Sequence, residues 1–155
     1  RLNKNMGILS NLTEEIKSAM RAKDSLKLEA LRAIKSAVLL AQTSGSGSSE
    51  LTDDEAIKLL QKLVKQRKDS AAIFNAQHRQ DLAEPEEAQA EVIMTFLPEQ
   101  LSEEAVEKVI DEVISKTGAV GMKDMGKVMG MASGQMAGKA DGKLIATLVK
   151  QKLGA

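Results

Sequence analysis

The sequence predicts an all-α fold, and three observations support this class. Apolar residues recur every three or four positions in successive segments, which places them on one face of a helix. Only Phe74 and Phe96 are aromatic, so the core must be built from Leu, Ile, Val, Ala and Met, the residues of packed helices. Cap-forming residues and the two prolines stand at the ends of these segments.

Two helices are predicted before a low-complexity segment. The first has its apolar positions at Leu9, Leu12, Ile16 and Met20, and its expected N-cap is Ser10 or Asn11. A polar break at residues 23–25 precedes the second helix, whose apolar positions run from Leu28 to Ala41. Residues 43–49 are all Thr, Ser or Gly, so we expect a flexible loop there.

Two further helices follow this loop. A capping box opens the third helix, because the Thr52 hydroxyl can accept from the Glu55 amide while the Glu55 side chain reaches back. This helix is expected to end near Arg79. Pro85 is predicted at the first position of the fourth helix, where no amide donor is needed. The fourth helix should stop before Pro98.

Pro98 is the predicted domain boundary. It divides the chain into an N-terminal four-helix domain, residues 1–98, and a small C-terminal three-helix domain, residues 99–155. In the second domain Ser102 is expected to cap a helix that ends at Gly118. Another helix is predicted between Met122 and Gly138, and Asp141 is the expected cap of the last one.

The residue types exclude several kinds of active site. The chain has no cysteine and a single histidine, His78, so thiol chemistry, a His-rich zinc site and a Ser-His-Asp triad are excluded. Residues 121–127 have P-loop spacing, but Val128 stands where a P-loop needs Ser or Thr. We therefore predict no catalytic residue, no metal site and no cofactor.

The sequence also bears on location. No apolar run approaches the ~20 residues of a membrane span, and no secretory leader is recognised. The expected location is the cytoplasm, or an organellar matrix if Arg1 marks a processed precursor.

Charge is unevenly distributed although the net charge is zero. Residues 84–115 carry ten acidic side chains and one lysine, a net charge of −9. Residues 116–155 carry seven lysines and two aspartates, a net charge of +5, and residues 1–83 carry +4. Such asymmetry says more about charged partners than the total does.

The segment from Met122 to Lys143 is the candidate binding region. Its five glycines recur every four residues, although a glycine inside a helix costs ~1 kcal/mol relative to alanine. Close helix packing is the favoured explanation for Gly130 and Gly134, with methionines filling the gaps. For the glycines beside lysines or at helix ends, packing and anion binding are about equally favoured. The candidate RNA-binding residues are Lys123, Gly126, Lys127, Gly138, Lys139, Gly142 and Lys143.

Several stretches resemble the YqeY-like (GatB/YqeY) family. They are Met122-Lys-Asp-Met-Gly-Lys-Val-Met-Gly, Gly138-Lys-Ala-Asp-Gly-Lys, Ala22-Lys-Asp, Leu31-Arg-Ala-Ile-Lys, Lys65-Gln-Arg-Lys-Asp-Ser, Gln80-Asp-Leu-Ala and Phe96-Leu-Pro-Glu-Gln-Leu-Ser. The resemblance extends from about Ile8 to Leu153. It implies two helical domains similar to the tail of the B subunit of the glutamine-dependent aspartyl/glutamyl-tRNA amidotransferase. That tail contacts tRNA, whereas the chemistry of the enzyme lies elsewhere.

The resemblance implies a non-catalytic accessory protein that binds tRNA or another structured RNA. The runner-up is a protein-interaction module, in which the glycine and methionine row receives a partner helix. A second alternative is an enzymatic role in trans, in carbon–nitrogen ligation with glutamine as amide donor. That is the activity label that the family resemblance carries, and the residues of this chain do not support it.

Overall fold

The computed structural model describes residues 7–44 and 50–154, and over these ranges the chain is helical, with no strand. The α-helices are α1 (Leu12–Ala22), α2 (Ser25–Ser44), α3 (Asp53–Ala76), α4 (Gln80–Met94), α5 (Glu103–Thr117), α6 (Met125–Gln135) and α7 (Gly142–Gly154). A short 3-10 helix, Met122–Asp124, precedes α6. The predicted all-α class is confirmed.

The chain divides into two compact units, Arg1–Leu97 and Pro98–Ala155, which we call unit 1 and unit 2. Unit 1 contains α1 to α4, and unit 2 contains α5 to α7. The division lies one residue from the predicted boundary. That the two units fold as independent domains stays a prediction.

The predicted loop at residues 43–49 begins too early. Thr43 and Ser44 belong to the last turn of α2, where their hydroxyls donate to the carbonyls of Leu40 and Ala41. These local bonds satisfy both side chains within the helix, so the helix continues through them. Residues 45–49 lie outside the described ranges.

The core of unit 1 is aliphatic. Leu31 and Ile34 of α2, Leu60 of α3 and Ile93 of α4 are all fully buried. The predicted face of α1 is only partly right, because Met20 is 52% exposed and Ala19 is buried in its place. Asn11, one of the two expected caps, occupies the N-cap position, but its side chain makes no capping hydrogen bond.

The capping box at the start of α3 is confirmed. The Glu55 amide donates to Thr52 Oγ1 at 3.1 Å, and the Thr52 amide donates to Glu55 Oε1 at 2.9 Å. At the other end the helix stops at Ala76, a few residues short of Arg79. His78 there adopts a left-handed backbone with φ of +60°, and the Arg79 amide donates to the Phe74 carbonyl at 2.8 Å, which closes the helix end.

The predicted start of α4 at Pro85 is wrong, because α4 begins five residues earlier at Gln80 and contains Pro85. The Arg79 carbonyl accepts from the amides of Leu82 and Ala83, and the Arg79 guanidinium makes two bonds to Asp81, at 3.1 and 2.9 Å. These interactions start the helix before the proline. Pro85 is exposed, so the carbonyl of Asp81, which lacks its helical donor, can be hydrated.

Unit 2 has its own aliphatic core, formed by one face of each helix. Val106 and Ile110 of α5, Val128 of α6 and Val149 of α7 are fully buried. Both predicted ends of α5 are confirmed. Ser102 Oγ accepts from the Ala105 amide at 3.1 Å, and Gly118 closes the helix with φ of +70°, a backbone that favours glycine.

Candidate nucleic-acid interface

The glycine row lies on the outer face of α6. Val128, Ala132 and Met136 repeat every four residues and are buried in the core of unit 2. Gly126, Gly130 and Gly134 repeat with the same period but are displaced by two residues, or about 200° around a helix with 3.6 residues per turn. The two rows therefore lie on opposite faces, and all three glycines are exposed.

The prediction that Gly130 and Gly134 serve close packing is wrong for the part of the chain that the structure describes. A Cβ atom added at Gly126, Gly130 or Gly134 would meet no other described residue within 4 Å. The physical reason is that Val128, Ala132 and Met136 already occupy the side of α6 that faces α5 and α7. The glycine row leaves an open helix face where another molecule could approach the backbone closely.

The structure divides the seven candidate residues into two groups. Lys123, Gly126 and Lys127 lie in the 3-10 helix and the first turn of α6, while Gly138, Lys139, Gly142 and Lys143 lie in the turn after α6 and the start of α7. The helical rise from Lys127 to Gln135 alone amounts to about 12 Å. All four lysines are exposed, and within the described ranges none forms a salt bridge.

The two groups lie at opposite ends of a helical hairpin formed by α6 and α7. A Cβ added at Gly154, the last residue of α7, would lie 3.7 Å from Met122 Sδ, so the end of α7 is beside the beginning of α6. We call this element, residues 122–154, the α6–α7 hairpin. It presents one lysine pair at each end of the open glycine face.

Backbone amides near the second group are already engaged. The Lys143 amide donates to Asp141 Oδ1 at 3.2 Å, and the Lys139 amide donates to the Met136 carbonyl at 2.9 Å. Gly138 has φ of +78°, which turns the chain between α6 and α7. An anion at this end would therefore be met by lysine ammonium groups rather than by these two amides.

Gln100 holds this turn in place, a role that the sequence pattern did not reveal. Its side-chain amide lies 2.7 Å from the carbonyl oxygens of both Pro98 and Gly138, and the Leu101 amide donates to the Lys139 carbonyl at 2.8 Å. The available signal was the Phe96-Leu-Pro-Glu-Gln-Leu-Ser stretch, which resembles the family without indicating its contacts.

Asp124 is the acidic side chain at the first group. Its carboxylate accepts from the Val120 amide at 3.0 Å, and this bond lowers the pKa of Asp124 below its ordinary value, against a smaller opposing effect of desolvation. The Gly121 amide and the charges of Lys123 and Lys127 lower the pKa further. The carboxylate thus fixes the entry to the 3-10 helix and lies near both lysines.

We expect the Val120 amide resonance to titrate with a midpoint below the ordinary aspartate pKa of about 3.9. Because the pKa is lower in the folded state, the stabilisation is present above pH about 3.9 and is lost as the pH falls through the folded-state value. Nuclear magnetic resonance against pH measures the midpoint, and Asp124→Asn, the control, should abolish the transition. A midpoint at or above 3.9 would contradict the assigned hydrogen bond.

Metal binding, histidine chemistry and membrane spanning are the other functions to weigh for residues 7–44 and 50–154. No group of three or more His, Cys, Asp or Glu side chains there could hold a metal ion. His78 is exposed in the turn after α3. None of the helices described is both long and apolar enough to cross a membrane.

Comparison with known proteins decides the family. The family described as Yqey-like protein matches residues 9–153, which is nearly the whole chain. The chain belongs to the YqeY-like family. The resemblance noted in the sequence is thereby confirmed.

Relatives of this YqeY-like chain carry the name Altered inheritance of mitochondria protein 41, mitochondrial. The Clavispora lusitaniae protein is 38% identical over 105 residues, covering 66% of this chain and 60% of that protein. The Vanderwaltozyma polyspora protein is 31% identical over 121 residues, covering 74% and 64%. The Pyrenophora tritici-repentis protein is 31% identical over 130 residues, covering 79% and 69%. The chain therefore spans less than two thirds of the first two relatives.

Proposed function

We propose that this YqeY-like protein is a non-catalytic accessory protein that binds structured RNA, tRNA above all, on the α6–α7 hairpin. The observation that carries the proposal is the arrangement of Lys123, Lys127, Lys139 and Lys143. All four are exposed and free of salt bridges within the described ranges, at the two ends of a helix face that is open to close approach. Phosphate groups along an RNA backbone match such spaced cations.

The mode of recognition follows from the side chains available. Phe96 is buried and Phe74 is half-buried, so neither offers an open ring on which a base could stack. Shape and backbone phosphates, rather than base edges, would then be recognised. Affinity for such a ligand falls steeply with salt, because each neutralised phosphate releases bound counterions.

The test compares two double variants of the full chain for binding to tRNA over a range of salt concentrations. Lys127→Gln with Lys143→Gln removes one charge at each end of the hairpin. We expect weaker binding and a slope of log affinity against log salt that is shallower by about 1 to 2, because each phosphate contact contributes about 0.7 to 0.9.

The control is Lys108→Gln with Lys116→Gln, which removes the same charge from exposed positions on α5. This variant should keep the slope of the parent protein. If both variants bind like the parent protein, or if both lose the same slope, the α6–α7 hairpin is not the RNA-binding surface.

A protein-interaction module is the second candidate, favoured by exposed methionines near the open glycine face. Met122 is 45% exposed and Met131 is 37% exposed. Flexible methionines suit a surface that receives a partner helix. Gly130→Leu would obstruct that face while leaving every lysine in place. Loss of a stable protein partner with unchanged RNA binding would favour this candidate.

We also infer a mitochondrial location. The support is the name of the relatives, which calls them mitochondrial, and the organellar matrix was one of the two locations expected from the sequence. The cytoplasmic expectation receives no support from these relatives. Fractionation of cells that express the tagged full-length protein tests the inference, which recovery in the cytosol alone would contradict.

A further inference from the structure

A polar cleft in unit 1 lies between α2, α3 and α4, and none of its lining residues belongs to the proposed RNA contacts. Its volume is about 410 Å³, and it is a shallow cleft that is open to solvent. Its charged and polar lining includes Glu29, Arg32, Arg67, Ser70, Glu86 and Gln89. Two stretches that the sequence singled out, Leu31-Arg-Ala-Ile-Lys and Lys65-Gln-Arg-Lys-Asp-Ser, meet at this cleft, and the proposed function uses neither.

Gln89 organises the cleft. Gln89 lies on α4 and is the one polar residue that is buried among those described, with 9% of its surface exposed. Gln89 Oε1 accepts from Arg67 Nε at 3.0 Å, and Gln89 Nε2 donates to Glu29 Oε1 at 2.9 Å. One carboxamide thus fixes a guanidinium from α3 and a carboxylate from α2.

This bridge keeps two opposite charges apart. Arg67 and Glu29 form no salt bridge with each other, and each is hydrogen-bonded to the neutral carboxamide of Gln89 between them. Arg67 also donates to the Leu63 carbonyl at 3.3 Å, which fixes its orientation further and leaves its other N–H groups for a ligand. The half-buried guanidinium is therefore held in position at the cleft, and no carboxylate among the described residues pairs with it.

A second pair of opposite charges lines the same cleft. Arg32 is exposed on α2 and Glu86 is half-buried on α4, and neither forms a salt bridge in the part of the chain that the structure describes. The four charges sum to zero. A simple anion would meet two carboxylates here, and a simple cation would meet two guanidiniums.

We propose that this cleft binds a small zwitterion of the α-amino-acid class. Its carboxylate is bound by Arg32 and Arg67, and its ammonium group by Glu29 and Glu86. Charge-assisted hydrogen bonds of this kind are roughly twice as strong as neutral ones, so both charged groups of the ligand contribute to recognition. The proposal is independent of RNA binding.

The test is a nuclear magnetic resonance titration of the full chain with each standard free amino acid. We expect at least one to cause saturable shifts at the amides of residues 29–36, 66–70 and 86–89 at millimolar concentration. Acetate and inorganic phosphate should bind about tenfold more weakly or worse, because they lack the ammonium group. Equal binding of the simple anions, or no saturable binding by any amino acid, would overturn the proposal.

Two variants locate the site without removing the Gln89 bridge. Arg32→Gln and Glu86→Gln should each weaken binding about tenfold or more, because each removes one charged contact to the ligand. Neither side chain forms a salt bridge with another described residue, so the fold should not depend on either charge. Lys35→Gln, also exposed on α2 but outside the lining, is the matched control and should bind like the parent protein. Unchanged affinity in both cleft variants would place any binding elsewhere. Failure here leaves the tRNA result at Lys127 and Lys143 unaffected.

Discussion

Replacement of Gly130 and Gly134 by alanine is expected to raise the free energy of unfolding of unit 2 by about 1 to 2 kcal/mol. Glycine in a helix interior is less favourable than alanine by about 1 kcal/mol, and Gly134 contributes less because it is next to the end of α6. The new methyl groups would meet no other described residue within 4 Å. Hydrogen exchange at the amides of α6 and α7 measures the change.

Gly118→Ala is the matched control, since its Cβ would also have no described neighbour within 4 Å. Its backbone, however, has φ of +70°, where a Cβ is strained, so the same substitution should destabilise unit 2 by about 1 to 2 kcal/mol. The free energy of unfolding of unit 2 should therefore rise on replacing Gly130 and Gly134 and fall on replacing Gly118. A loss of stability on changing Gly130 and Gly134 would mean that the glycine face is packed in solution.

The same double variant separates the two candidate functions. RNA binding through lysine ammonium groups should persist, because the lysines are unchanged and two methyl groups add little bulk. Docking of a partner helix against the glycine backbone should weaken, because close approach depends on the absence of Cβ atoms. If the variant is more stable and loses such a partner, the glycine row serves the partner and not the fold.

Truncation of the two cores is expected to have the largest effects on stability. Ile34→Ala in unit 1 and Ile110→Ala in unit 2 each remove a fully buried side chain, and each should lower the local free energy of unfolding by about 2 to 5 kcal/mol. Hydrogen exchange resolved by residue distinguishes the two units. Leu40→Ala, at a position that is 69% exposed, should change stability by no more than about 0.5 kcal/mol.

The pattern of these losses tests the predicted domain division. If the two units fold independently, Ile34→Ala should increase exchange in α1 to α4 alone, and Ile110→Ala should increase it in α5 to α7 alone. Increased exchange throughout the chain from either change would show one cooperative domain, against the prediction.

Local signals predicted most of the helices because the residues that decide a helix end lie within a few positions of each other. The Thr52 capping box and the Ser102 and Gly118 caps are of this kind. The prediction that Pro85 occupies the first position of α4 is wrong because the interactions of Arg79 and Asp81 start the helix earlier. A prediction based on the proline alone does not include those interactions.

In both the cleft of unit 1 and the α6–α7 hairpin, the contacts that the sequence did not predict join residues that are far apart in the sequence. Gln89 and Glu29 are 60 positions apart, and Gln100 and Gly138 are 38 apart. Composition and period carry no information about which polar side chains meet across helices. The glycine row was recognised as unusual from its spacing, but which face of α6 is buried depended on the two neighbouring helices.

The bonds of Gln100 and Leu101 to the turn at Gly138 and Lys139 have a consequence for the order of folding. They join the start of unit 2 to a point 38 residues later, and so enclose α5, the 3-10 helix and α6 within one closed loop. Contacts between residues that are distant in sequence slow folding relative to local contacts. During synthesis, the helices of unit 1 can therefore form and pack before residues 138 and 139 are available to bond Gln100 and Leu101.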